Sequence, residues 1–96
     1  MAATPPIDLG RAWGLDPQVA LRPEPFGALA YHFGTRRLSF LKSRVLLDVV
    51  QRLGAHATAG EACRAAGVAA DEMSRYEEAL ATLAGTGMIA RRETAA

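Results

Sequence analysis

One stretch constrains this chain more than any other: Gly27 to Leu41, GALAYHFGTRRLSFL. Large and small residues alternate up to Phe33, Gly34-Thr35 follows, and alternation resumes at Arg36, the pattern of two strands joined by a two-residue turn. Glycine at the first central position suits a type II′ turn. A hairpin closed there sets Phe33 opposite Arg36, Tyr31 opposite Leu38 and Leu29 opposite Phe40. Leu29, Tyr31, Leu38 and Phe40 then share one face, which is the face expected to be buried.

The same turn predicts a bonding phase. Residues flanking a two-residue turn form a hydrogen-bonded pair, so Arg36, Leu38 and Phe40 bond to the partner strand, while the amides and carbonyls of Arg37, Ser39 and Leu41 point away. Without a later strand to pair with them, they form an open edge that templates an added strand from another chain. The preceding strand, read over Pro17 to Arg22 with Val19 and Leu21 inward, is bracketed by Pro17 and Pro23 and followed by Pro25. Proline cannot donate to a ladder, so that side of the sheet is blunted and the hairpin's second strand is the more receptive edge.

Ninety-six residues, half of them hydrophobic, make one small domain with one core. A net charge of +1 predicts neither nucleic-acid nor membrane binding from bulk charge. A single cysteine, Cys63, excludes an internal disulfide and suits a reducing compartment. No secretory pattern opens the chain and no apolar run approaches the ~20 residues of a membrane span, so a cytoplasmic location is expected.

Residues 1–16, with Pro5, Pro6, Gly10 and Gly14, read as a flexible N-terminal arm whose end Trp13 and Leu15 pin to the sheet; residues 17–90 read as the domain and 91–96 as a tail. Three helices are expected after the hairpin. Val45, Leu46, Val49, Val50 and Leu53 recur at helical spacing from Ser43, and Gly54 stops the run. Thr58-Ala-Gly-Glu61 is a capping box opening a short Ala-rich helix that ends at Gly67. A third helix begins near Asp71, presents Met73, Tyr76, Leu80 and Leu83 at spacings of three and four, and stops at Gly85-Thr-Gly87; Met88 and Ile89 then return to the core. The order is α+β: a three-stranded antiparallel sheet followed by three helices, as in a winged helix-turn-helix.

Catalysis finds no support in these residues. His32 and His56 lie on different elements and neither forms a ligand pair with Cys63; there is no phosphate loop, nucleophile elbow or radical-enzyme cysteine triplet. His32, opposite Arg37 on the expected outer face, reads as solvated, and Cys63 as a small core residue. No cofactor or metal site is expected. The alternative of a small winged-helix DNA-binding regulator meets an obstacle in the third helix, whose Asp71, Glu72, Glu77 and Glu78 outweigh Arg75 and repel phosphates. Positive charge gathers instead at Arg36, Arg37, Lys42 and Arg44, which is either a solvated face or, beside a free edge, a site for an acidic peptide.

The run from Leu21 to Ser43, LRPEPFGALAYHFGTRRLSFLKS, and the later Ala62-Cys-Arg-Ala-Ala-Gly67 resemble the MftB family of mycofactocin biosynthesis chaperones over about residues 13–90. More distantly, the layout and the ending Leu80-x-x-Leu83-x-x-x-Gly87-Met-Ile89 resemble PqqD and related recognition domains for ribosomally made precursor peptides. The resemblance implies a PqqD-like fold and a non-catalytic adaptor. It would bind the leader of a precursor peptide, MftA, as an added strand and present it to a radical S-adenosylmethionine enzyme, MftC, which would hold the iron-sulfur chemistry. Carried onto this sequence, it places Arg36, Arg37, Leu38, Ser39, Phe40, Leu41 and Lys42 along the peptide, with Met73, Tyr76, Leu80 and Leu83 as candidates for the groove wall. Helical spacing alone does not separate a groove wall from a core stripe. An open edge also permits a homodimer through strand pairing.

Overall fold

The computed structural model describes residues 7–92, so residues 1–6 of the expected arm and 93–96 of the expected tail lie outside the described part. The fold is α+β, with its strands divided between two antiparallel sheets. A three-stranded sheet has the order β2-β3-β4, formed by Val19–Glu24, Gly27–His32 and Leu38–Leu41. A two-stranded sheet joins β1, Trp13–Leu15, to β5, Ile89–Arg91. Three helices lie between β4 and β5: α1 (Arg44–Arg52), α2 (Ala59–Ala65) and α3 (Met73–Gly85).

The expected β3–β4 register is present, with Tyr31 opposite Leu38 and Leu29 opposite Phe40. The faces are exchanged. Ala28, Ala30, His32 and Leu41 are the buried side of the hairpin, whereas Leu38 and Phe40 are 52% and 57% exposed and Leu29 and Tyr31 only half-buried. The reason is the room that α1 requires. Ala28 and Ala30, both essentially inaccessible, carry side chains small enough for α1 to lie directly on β3 and share a core with it. Inward Val19 and half-buried Leu21 on β2 agree with the sequence reading.

The turn also departs from the expected type II′ geometry. Four residues, Phe33 to Arg36, form the loop: Arg36 N–H donates to His32 C=O at 2.7 Å and His32 N–H to Arg37 C=O at 2.9 Å. The left-handed residue is Arg36, at φ 62°, and not Gly34. His32 holds the loop from below. Expected to be solvated, it is 7% exposed, and its Nδ1 accepts the amides of Gly34 and Thr35, both at 3.0 Å, so the proton belongs on Nε2, which lies 3.5 Å from Asp16 Oδ1.

The first two helices start at side-chain caps, whereas α3 continues from a short 3-10 turn, Ala70–Glu72, without one. Ser43 Oγ accepts from Leu46 N–H at 3.0 Å and Thr58 Oγ1 from Glu61 N–H at 3.1 Å. Along α1, Leu46, Val49 and Val50 are buried with the following Leu53, but Val45 is turned outward and 38% exposed. Leu80 and Leu83 of α3 close the core from the other side, with Met88 and Ile89 beneath them.

The N-terminal segment is integral to the domain. Ile7 and Ala12 are buried, and the carbonyls of Leu9 and Arg11 accept the amides of Gly60 and Ala59 at the start of α2, both at 2.9 Å. Trp13 pins this segment to β5 rather than to the main sheet; its carbonyl accepts Arg92 Nε at 2.8 Å, and the same guanidinium donates to the carbonyls of Leu53 and His56. Three-residue strands carry too little alternation to be read from sequence.

Gly27 is the most constrained glycine. At φ +152° it brings β3 so close to the end of β4 that a Cβ would overlap the Leu41 carbonyl and come within 2.9 Å of Ser43 N and O. Gly27→Ala is expected to cost about 2 kcal/mol or more and lower the melting temperature visibly. Gly54→Ala, facing open space, should change stability by no more than about 0.5 kcal/mol in the same thermal melt.

Candidate functional site

β4 is an edge of the three-stranded sheet, and its bonding phase fixes which of its backbone groups are free. Because His32 and Arg37 form a hydrogen-bonded pair, alternation makes Ala30–Ser39 and Ala28–Leu41 the next bonded pairs. The outward groups are therefore the N–H and C=O of Leu38 and Phe40. This reverses the sequence expectation, in which Arg37, Ser39 and Leu41 pointed outward. A two-residue turn closes on Phe33–Arg36, whereas the four-residue loop closes on His32–Arg37, one position further along each strand, and one position inverts the phase.

The opposite edge, β2, offers far less. Phe33 N–H donates to Gln18 C=O, so Ala20, Arg22 and Glu24 face β3 and the outward residues are Val19, Leu21 and Pro23. Val19 N–H is already taken by Asp16 C=O at 2.9 Å and Pro23 has none, which leaves Leu21. The blunting inferred from the prolines is thus present.

Beside the β4 edge runs α3. Leu38, Ser39, Phe40 and Lys42 line one side of a cleft of about 410 Å³, and Ala79, Thr82 and Leu83 line the other, with Leu46 of α1 between them. It adjoins a narrower cleft of about 140 Å³ lined by Lys42, Ser43, Leu46, Arg75 and Tyr76. The two share Lys42 and Leu46, so a single groove follows β4 along α3. Buried Leu46 and Leu83 give it an apolar floor, and exposed Lys42 and Arg75 stand at one end. Arg75 has an exposed Glu72 carboxylate at 3.7 Å.

The groove thus gathers Leu38, Ser39, Phe40, Lys42, Tyr76 and Leu83 from the residues singled out in the sequence. Leu41 and Leu80 are inaccessible core residues. Met73 lies elsewhere, lining a cleft with Leu9, Thr58 and Arg64. Arg36 and Arg37 have their backbones engaged in the hairpin loop, and their side chains are exposed beyond the end of β4. Leu46, Arg75, Ala79 and Thr82 also line the groove, a role the sequence does not assign them. Arg75, Tyr76, Ala79, Thr82 and Leu83 do form one helical stripe, but its small and polar members are invisible to a search for large apolar residues.

Other chemistry-bearing groups are accounted for structurally. Cys63 is fully buried, and burial raises its thiol pKa, which keeps it protonated and unreactive. Among the described residues no cluster of histidine, cysteine and carboxylate side chains could hold a metal, and no helix is long and apolar enough to cross a membrane. A larger cleft, about 550 Å³, lies on the far side between β1, β5 and the end of α1, where Leu15, Leu21, Val50 and Arg91 meet. From the main sheet it includes Leu21, whose amide is the one that Pro23 and the Asp16–Val19 bond leave outward on β2.

Residues 12–90 match the Peptide chaperone MftB family. This chain is a member of that family. It is 54% identical over 88 residues to the peptide chaperone MftB of Mycobacterium tuberculosis, an alignment covering 92% of this chain and 81% of the relative. It is 55% identical over 87 residues to that of Mycobacterium ulcerans, covering 91% and 80%. The Mycolicibacterium smegmatis protein is 54% identical over 78 residues, covering 81% and 76%. No solved structure matches the chain. Membership of a peptide chaperone family agrees with the non-catalytic reading of the residues, and the matched range begins before β1, within the expected arm.

The bonding phase of β4 is directly measurable. In amide hydrogen exchange on the free protein, Ser39 and Leu41 should be protected and Leu38 and Phe40 should exchange at rates close to those of exposed loops. Protection of Leu38 and Phe40 in place of Ser39 and Leu41 would contradict it.

Proposed function

We propose that this MftB family member binds the leader segment of the mycofactocin precursor peptide, MftA, as an added strand along β4, and presents the rest of that peptide to the radical S-adenosylmethionine enzyme MftC. The observation that carries this reading is the juxtaposition of free Leu38 and Phe40 backbone groups with an apolar groove between β4 and α3. Main-chain pairing to these residues would fix the strand's register, and side chains entering the groove would give selectivity. Leu46, Ala79 and Leu83 suit apolar residues, while Lys42 and Arg75 suit a carboxylate at that end.

No chemistry is asked of this chain. Holding the leader converts the enzyme's encounter with the modifiable end of the peptide into a local event at raised effective concentration. The cations Arg36, Arg37, Lys42 and Arg75 act mainly on the association rate, so binding should weaken with salt.

Calorimetric titration with single-position N-methylated leader peptides tests the reading without altering the protein. N-methylation removes one donor at a time, and affinity should fall at alternate positions, roughly tenfold or more at each amide that bonds to β4. Uniform tolerance of N-methylation would exclude strand addition. On the protein, Leu38→Pro should weaken binding well beyond Leu38→Ala, whereas Ser39→Pro strikes the β3–β4 ladder itself and should lower the melting temperature.

A further inference from the structure

Leu38 and Phe40 border the groove at the β4 edge, but the apolar outer face to which they belong extends beyond it across the hairpin. Leu38 and Phe40 project from the side of the sheet opposite the core, next to Phe26 and Phe33, which are 47% and 63% exposed. The Phe26 and Phe40 ring centroids are 6.2 Å apart, and Tyr31 meets Phe33 edge-on at 5.2 Å. On this face the residues are arranged in cross-strand rows: Arg22, Leu29, Phe40 in one and Ala20, Tyr31, Leu38 in the next. Each row stops at the edge on an apolar side chain that is more than half exposed.

Resting on the strand-addition reading, we infer that the bound peptide is read on both faces of the sheet, and that this outer face is covered by its alternate side chains. Two constraints force the geometry. The free backbone groups belong to Leu38 and Phe40, so these are the residues that a new strand engages. Residues directly opposite one another on neighbouring strands project to the same side of a sheet, whether the strands are parallel or antiparallel. The peptide residues opposite Leu38 and Phe40 therefore extend the two outer rows, and the residue between them, opposite Ser39, points into the β4–α3 groove toward Leu46, Ala79 and Leu83.

The ligand so defined is an extended segment with two apolar residues, preferably aromatic or β-branched, separated by one further apolar residue of moderate size. This is an uninterrupted apolar triplet, unlike the apolar-polar alternation that a one-sided edge selects. Acidic residues belong beyond the triplet, toward Lys42 and Arg75. The occupied face is contiguous with the backbone edge itself, because the same two residues supply both the free bonds and the exposed side chains.

The test uses the double variant Leu38→Thr/Phe40→Thr, which keeps the backbone donors and β propensity but removes the apolar rows, titrated with the unmodified and N-methylated leader peptides. Two-faced reading predicts that the folded variant binds the unmodified leader about tenfold or more weakly, that N-methylation still disrupts binding at the same alternate positions, and that polar substitution at any of three consecutive leader positions weakens wild-type binding. Wild-type affinity in the double variant, with N-methylation still disruptive, overturns the outer-face reading and leaves strand addition standing. Insensitivity of the wild-type protein to N-methylation removes strand addition, and the present inference with it.

Discussion

The imidazole of His32 lies beneath the β3–β4 loop and accepts two of its amides, and the functional geometry depends on that arrangement. A buried ring that satisfies Gly34 and Thr35 favours a four-residue loop over the two-residue turn that Gly34-Thr35 alone would suggest. Loop length then sets where the ladder closes, closure sets the bonding phase of β4, and the phase determines that Leu38 and Phe40, rather than their neighbours, present free backbone groups. Exposed apolar side chains and unpaired backbone thus coincide on the same two residues. Asp16, facing the other side of the ring, ties the loop to the segment that leads into β2.

The two edges of the main sheet are unequal, and this gives the molecule a receptive side. At β2, Pro23 and the Asp16–Val19 bond leave Leu21 as the remaining outward donor; at β4, two consecutive outward residues stay unpaired beside a helix. An unprotected edge of this kind is a hazard for a chain that must stay dispersed. It is short, Leu38–Leu41, and flanked by the cations Arg36, Arg37 and Lys42, two features that blunt sheet edges in general. α3 is placed by core residues, Leu80 and Leu83, and presents Tyr76, Ala79 and Thr82 to the groove from the same stripe.

Much of this was legible in the sequence. The hairpin register, the Ser43-led first helix, the Thr58 cap and the return of Met88 and Ile89 all follow from local patterns whose outcome depends on neighbours in the chain. The edge strand was identified correctly, but its face and phase were not. Size alternation marked Leu29, Tyr31, Leu38 and Phe40 as one face without saying which face α1 covers, and the small side chains of Ala28 and Ala30 proved the better indicator of close helix packing. Phase was lost because it depends on His32, whose burial arises from tertiary packing. Trp13–Leu15 and Ile89–Arg91 pair across nearly the whole chain, a contact that no local window contains.

The most direct measurement is a set of intermolecular NOEs between isotope-labelled protein and unlabelled leader peptide. The account predicts short backbone contacts from the leader to the amides of Leu38 and Phe40, with leader side-chain contacts to Phe40 on one face and to Leu46 and Leu83 on the other. Contacts that instead collect at Leu15, Leu21 and Val50, with β4 silent, would contradict it and move the binding site to the opposite side of the molecule.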